Sequence, residues 1–275
     1  FILKDQFEIQ TVLLIGAVMQ GILFWLFPAK FAVVPMILGF LYTVIPTLQA
    51  ILIPSANPYL KYTISGPTTA LLPILPEGKT RYRIPPAASP QSHPCPSGTV
   101  VLHLGVRFNH PLGVLSPGGH DVGILFRDMN DKLEVSAREG TPDYGFLGLS
   151  HWRAAERAAK NTQMTVYFFR DLAGLRRFAA GPVHRDAMAW WDRVAARYPH
   201  IGIFHEVFAA PPGAWETMYA NMAPTLLGAV SVPVEGGNRG EGKGDEKKGE
   251  FMSPLVDARG VGLRSMDQRM GRARD

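Results

Sequence analysis

Cysteine is almost absent. Cys95 stands alone in 275 residues, so no intramolecular disulfide can form, and no Asn-x-Ser/Thr glycosylation acceptor occurs. Both absences favour a folded region that faces a reducing compartment. Blocks of one charge sign are missing as well: the formal charge is +5, yet the basic residues are spread along the chain and leave no nucleic-acid footprint. Complete catalytic motifs are also lacking. Gly237 to Lys243 has the spacing of a phosphate-binding loop, but Gly244 stands where a hydroxyl must reach magnesium. Gly148-Leu-Ser150-His-Trp152 lacks the second glycine of a nucleophile elbow, and His205-Glu206-Val-Phe-Ala209 lacks the second histidine of a zinc-binding helix.

Charge is absent from two long apolar runs, Ile9 to Phe27 and Phe31 to Ile53, separated by Pro28-Ala29-Lys30. Each approaches or exceeds the length that spans the roughly 30 Å hydrocarbon layer at about 1.5 Å per residue. Pro35 and Pro46 bend the second run without preventing insertion. A retained transmembrane helical hairpin over 1–54 is therefore expected, in place of a cleaved signal peptide. Lys61, Lys79, Arg81 and Arg83 follow the second run, which favours a cytosolic position for what comes after it. The expected location is a membrane, that of the endoplasmic reticulum, with the folded domain facing the cytosol. Ten prolines fall from Pro54 to Pro96, and residues 55–98 read as an extended linker. Residues 231–275 contain GGNRGEGKGDEKKGE and read as a largely disordered tail.

Residues 99–230 carry the folding signals. Val100, Leu102, Leu104 and Val106 alternate with His103, Gly105, Arg107 and Asn109, the period of a half-buried strand. Val122, Phe126, Met129 and Leu133 recur at helical spacing over 121–138. Strands are predicted over 144–152, 163–170 and 200–208, with a helical region over 172–197 broken at Gly181-Pro182. The order strand, helix, strand, strand, helix, strand is the ferredoxin-like arrangement of an α+β domain. One sheet face is left bare, and two sheets packed face to face in a homodimer would cover it.

If Leu102, Leu104, Leu147, Leu149, Val166, Phe168, Ile201 and Ile203 pack on the helices, the opposite face carries Arg107, Asn109, Ser150, Trp152, Tyr167, Phe204 and Glu206. That lining has the make-up of a small-molecule pocket, although a wet dimer interface reads the same way. Apolar surroundings raise a carboxyl's pKa, which would make Glu206 a general acid or base; an ion pair with Arg107 is the competing account. His205 points to the other face and reads as a core histidine. His184 lies in the first turn of a helix, where an imidazolium is disfavoured, and it reads as a base, hydrogen-bond acceptor or ligand, with Arg185 behind it as an anion partner.

Phe108-Asn-His-Pro-Leu-Gly113, Ser116-Pro-Gly118, Tyr144-Gly-Phe-Leu-Gly148, Tyr167-Phe-Phe-Arg-Asp171, Phe178-Ala with His184-Arg185, Ile203-Phe-His-Glu206 and Trp215-Glu-Thr-Met-Tyr219 follow one another in order. Together they resemble the DUF4188 family of monooxygenases of the antibiotic-biosynthesis type, typified by the one in fumagillin biosynthesis. The resemblance implies a dimeric α/β-barrel and a membrane-anchored oxidoreductase acting on a hydrophobic secondary metabolite of the terpenoid or polyketide class. A cofactor-free reaction has Glu206 or His184 as base, with Tyr167, Trp152 and Asn109 orienting the substrate. A haem reaction of the aldoxime-dehydratase kind has His184 as axial ligand and Arg107 or Arg185 on a propionate. A non-catalytic dimer that binds a lipid or a protein at the membrane is the remaining reading.

Overall fold

The computed structural model describes residues 9–83, 97–154, 161–235 and 250–272. Cys95, Pro85-Pro86 and the Gly- and charge-rich run over 236–249 lie outside the described residues. The chain divides into two compact units, Phe1–Thr63 and Ile64–Asp275.

The first unit is helical: α1 (Ile9–Leu26), α2 (Ala29–Ala32) and α3 (Val34–Leu52). Ala29–Leu52 is long and apolar enough to cross a membrane, with a mean hydropathy of 2.0, whereas the apolar helix before it, Gln10–Leu26, is shorter. The expectation of two spans thus meets one helix of full length and one shorter neighbour. Hydroxyls within α3 bond locally, Thr43 Oγ1 to the Phe40 carbonyl and Thr47 Oγ1 to the Thr43 carbonyl, each at 2.8 Å. They therefore need no water partner. Gln20 closes the turn by donating from Nε2 to the Ala32 carbonyl at 2.8 Å.

The second unit holds β1 (Ile64–Ala70), β2 (Thr99–Phe108), α4 (Gly119–Glu139), β3 (Phe146–Arg153), β4 (Thr162–Phe169), α5 (Leu172–Ala179), α6 (Pro182–Val194), β5 (Ile201–Ala210), β6 (Tyr219–Met222), β7 (Val232–Val234), β8 (Glu250–Met252), β9 (Leu255–Asp257) and α7 (Met266–Arg269). Strands β3-β4-β2-β5 form an antiparallel sheet in that order. With α4 between β2 and β3, and α5 and α6 between β4 and β5, this is the ferredoxin-like βαββαβ arrangement. The helices bury Val100, Leu102, Met129, Leu133, Tyr167, Phe169, Leu175 and Phe178 on one sheet face. Gly140, in the left-handed region at φ 72°, stops α4 and donates to the Ser136 carbonyl. Asp171 caps α5, accepting from the Gly174 amide at 2.7 Å.

The linker and tail expectations need correction. Chain from 64–83, 215–235 and 250–257 builds a further layer: β1 sits between β6 and β9, and β7 pairs with β8. Pro67 lacks an amide hydrogen, and the β1–β6 register shifts between Ile64 and Pro67 to accommodate it. This layer buries Leu72, Tyr82, Trp215, Leu227, Val230, Val232 and Val234 against Leu147, Val166 and Phe168 of the main sheet. Burial of each such aliphatic side chain is worth about 1.5–3 kcal/mol. Trp215 Nε1 donates to the Ser97 carbonyl at 3.0 Å, and Arg269, itself buried, bonds Glu216 at 2.5 Å. The face expected to be bare is consequently covered in part by the chain itself.

Candidate functional site

The rest of that face is ordered by strand register, with Val166 and Met164 at the margin of the second layer and β5 beyond it. His103 lies opposite Glu206 and Val166, Gly105 opposite Phe204 and Met164, and Arg107 opposite Gly202 and Thr162. Ser150 and Trp152 of β3 flank Val166 and Met164. Because side chains alternate at period two, these residues share one side of the sheet. Trp152, Phe204 and Phe208 are exposed on it.

Three local arrangements stand out. His103 Nδ1 lies 3.7 Å from Glu206 Oε2, too long for a hydrogen bond but close enough for an ion pair when the imidazole is protonated. The Phe208 ring meets His103 edge-on, with centroids 5.4 Å apart. The Phe204 ring covers Gly105 so closely that an added Cβ would sit 2.2 Å from its Cζ. At the end of the face, Arg107 Nε and Thr162 Oγ1 are buried without a hydrogen-bond partner. His103 was not among the sequence-derived site residues. Its alternation with Leu102 and Leu104 put it on this face, but only the β2–β5 register identifies Glu206 as its neighbour.

Arg107, Trp152, Phe204 and Glu206 are thus brought together. Glu206 pairs with His103 and not with Arg107. Asn109 lies just beyond β2, exposed, its amide donating to the His200 carbonyl at 2.7 Å. Tyr167 belongs to the helix side of the sheet, contrary to expectation, while Val166 and Phe168 point to the other layer. The reason is that β4 is covered on both sides, so its apolar run QMTVYFFR carries no alternation from which parity can be read. Tyr167 is 1% exposed and donates to Asn130 Oδ1 at 2.7 Å. Burial pushes its hydroxyl well above the ordinary phenol range, against a smaller opposing effect from Thr165. Thr165 Oγ1 in turn lies 3.0 Å from His151 Nδ1. His205 shares the parity of Leu104 on the helix side, yet it is exposed there and is not a core residue.

His184 sits on α6, in the helical layer, and Arg185 beside it is exposed. Glu206 and His184 therefore lie on opposite sides of the sheet and cannot act on one atom. The His184 ring stands edge-on to Phe178, centroids 5.9 Å apart, and Phe178 packs on Tyr144 and Phe169. A cavity that shares Tyr144 and Phe146 with this cluster holds about 40 Å³. His184 is not among the residues that wall this cavity; its ring packs on Phe178 instead, and no step is derived through a haem. Among the described residues no group of three or more His, Cys, Asp or Glu side chains could hold a metal ion. The same cavity is walled by Arg170, whose side chain is 5% exposed and bonds Asp143 at 2.6 Å and Asp171 at 2.7 Å. It also donates to the Thr80 carbonyl. This cluster ties β4 to the second layer and is structural.

Fold and site together define an α+β domain of ferredoxin-like topology whose sheet presents a half-open aromatic face with an imidazole–carboxylate pair. Residues 99–227 match the family described as Monooxygenase af470-like. Monooxygenase af470 of Aspergillus fumigatus is 35% identical over 275 residues, 99% of this chain and 90% of that protein. The chain belongs to the Monooxygenase af470-like family. Among solved structures it is similar to SnoaB, a cofactor-independent oxygenase from Streptomyces nogalater, at 17% identity, 42% of this chain, 94% of that one and a TM-score of 0.28. It is also similar to the aldoxime dehydratase OxdRE, at 15% identity, 46% of this chain, 36% of that one and a TM-score of 0.35. A dimeric ferredoxin-like protein from an uncultured marine organism matches at 10% identity, 42% of this chain, 96% of that one and a TM-score of 0.30.

Proposed function

We propose that the protein is a monooxygenase-type oxidoreductase that oxidises a hydrophobic small molecule on the open face of the main sheet. Family membership supports the reaction class, and one observation supports the site: His103 Nδ1 lies 3.7 Å from Glu206 Oε2 beside exposed aromatic rings. In this reading His103, with the Glu206 carboxylate beside it, takes a proton from an acidic C–H of the bound molecule. The resulting carbanion reduces dioxygen, the two combine as a hydroperoxide, and loss of water leaves a carbonyl. In sum, one substrate methylene and one dioxygen molecule become one ketone carbonyl and one water. One oxygen atom enters the product, and the substrate supplies both electrons.

A terpenoid- or polyketide-like substrate suits the apolar floor of Phe204, Phe208, Met164 and Trp152. Such a molecule partitions into lipid, and the apolar helix Ala29–Leu52 supports tethering to a membrane, with the oxidising unit on the cytosolic side. Edge strand β5 exposes Ile203 and Val207 on one side and Phe204 and Phe208 on the other. That supports a homodimer in which a second copy roofs the open face.

The test is oxygen consumption by the full chain in phosphatidylcholine nanodiscs, supplied with the enolisable hydrophobic ketone 2-tetralone under ¹⁸O-labelled dioxygen. The reading expects one labelled atom in the product and a rate that falls on the order of 100-fold or more in Glu206→Gln and His103→Ala. Turnover that survives both substitutions would exclude this pair as the base.

A further inference from the structure

The open face is not chemically uniform along its length, and its far end holds an unused cation. Arg107 and Thr162 are register partners across β2 and β4, and Arg107 Nε and Thr162 Oγ1 are each buried without a hydrogen-bond partner. No described residue forms an ion pair with Arg107. Nothing fills the space beside it on β5 either, since Gly202 has no atom within 4 Å of where a Cβ would stand. Buried polar atoms are almost always satisfied, and an orphaned pair of donors on a surface otherwise built for an apolar ligand calls for a ligand acceptor.

We propose that Arg107 and Thr162 form an anion anchor, so that the substrate is an elongated apolar acid held by its terminal carboxylate. The planar guanidinium presents paired donors that match the two carboxylate oxygens, and the Thr162 hydroxyl adds a third. From Arg107 to His103 is four residues of β2, about 14 Å at about 3.4 Å per residue. The intervening row is apolar: Trp152, Met164 and Phe204 over Gly105. The acid and the oxidised carbon are therefore separated by that span, with the apolar body lying on the rings. The Gly202 gap admits the carboxylate, and the Phe204 ring, close over Gly105, forms the floor.

This inference rests on the open face being the substrate surface, and a binding measurement tests it apart from turnover. Decanoate and its uncharged amide, decanamide, are titrated calorimetrically into the full chain in phosphatidylcholine nanodiscs, with empty nanodiscs subtracted. The expected result is decanoate binding about 10- to 100-fold tighter than decanamide, the worth of a charge-assisted contact. Arg107→Gln should erase the difference and Arg107→Lys retain part of it. If Arg107→Gln unfolds, as judged by circular dichroism, Thr162→Val supplies the same comparison with an isosteric side chain. Equal binding of acid and amide, or a preference untouched by Arg107→Gln, would overturn the anchor. Preference for decanoate without any oxygen uptake would keep the anchor and defeat the oxygenase. Oxygen uptake on 2-tetralone with no acid preference would do the reverse.

Discussion

Gly105→Ala tests whether the floor of the open face is built as described. An ideal Cβ there would lie 2.2 Å and 2.3 Å from Cζ and Cε1 of Phe204 and 2.9 Å from the Gln163 carbonyl oxygen. The ring is the far end of a side chain and can swing away; the carbonyl belongs to the β2–β4 ladder and cannot move alone. Overpacking of this kind costs about 1–3 kcal/mol. Against it stands the reduced unfolded-state entropy of alanine, worth about 0.5–1 kcal/mol. The clash wins, leaving a net loss of about 1–2 kcal/mol. A unit of 150–250 residues loses about 2–4 °C in Tm per kcal/mol, so scanning fluorimetry should register a fall of roughly 2–8 °C. In a Phe204→Ala background the ring contact is gone, and Gly105→Ala should cost about 1 kcal/mol less than in the wild type. A Gly105→Ala protein as stable as wild type, or strictly additive effects of the two substitutions, would refute the packing of Phe204 on Gly105.

Further expectations concern the scaffold. Arg170→Met removes the buried cation shared by Asp143 and Asp171, leaving Asp143 to Arg177 and Asp171 to the Gly174 amide, and should destabilise the second unit by about 1–3 kcal/mol, read from a denaturation midpoint. Burial alone would raise the Asp171 carboxyl, but the Gly174 amide and the Arg170 guanidinium outweigh it and hold it below the ordinary carboxylate range. A depressed folded-state pKa contributes stability that is complete above the unfolded value near 4 and is lost as pH falls through the folded value. Asp171→Asn should therefore flatten the acid limb of the stability profile below about pH 4. Trp215→Phe removes the donor to the Ser97 carbonyl and should cost about 1–3 kcal/mol, measured by thermal unfolding.

Where one face of a strand is buried and the other is not, sequence alternation was sufficient. β2 shows this: its helix-side residues Val100, Leu102 and Val106 and its open-side residues His103 and Arg107 were separable by parity alone. β4 defeated the same reasoning because both of its faces are covered, so Tyr167 was placed on the wrong side. The second layer was illegible for a different reason. β1 contains Gly66 and Pro67, β7, β8 and β9 are three residues each, and their pairings join distant parts of the chain, such as Thr68 with Tyr219 and Asp257. Local propensity carries no information about such contacts. The candidate site was half legible: four of its side chains follow from strand parity, while the His103–Glu206 neighbourhood depends on inter-strand register. His184 looked chemically able at a helix start, but only the layer order reveals that the sheet separates it from Glu206.

Proton abstraction by the His103–Glu206 pair is the step on which the functional reading stands, and it can be observed without oxygen. The full chain in nanodiscs is incubated anaerobically with 2-tetralone in deuterium oxide, and exchange at the acidic ring methylene is followed by proton NMR. Wild-type protein should exchange those protons well above the buffer rate, with Glu206→Gln and His103→Ala each slower by roughly 100-fold or more. Wild-type exchange equal to buffer, or exchange undiminished in both variants, would contradict the assignment.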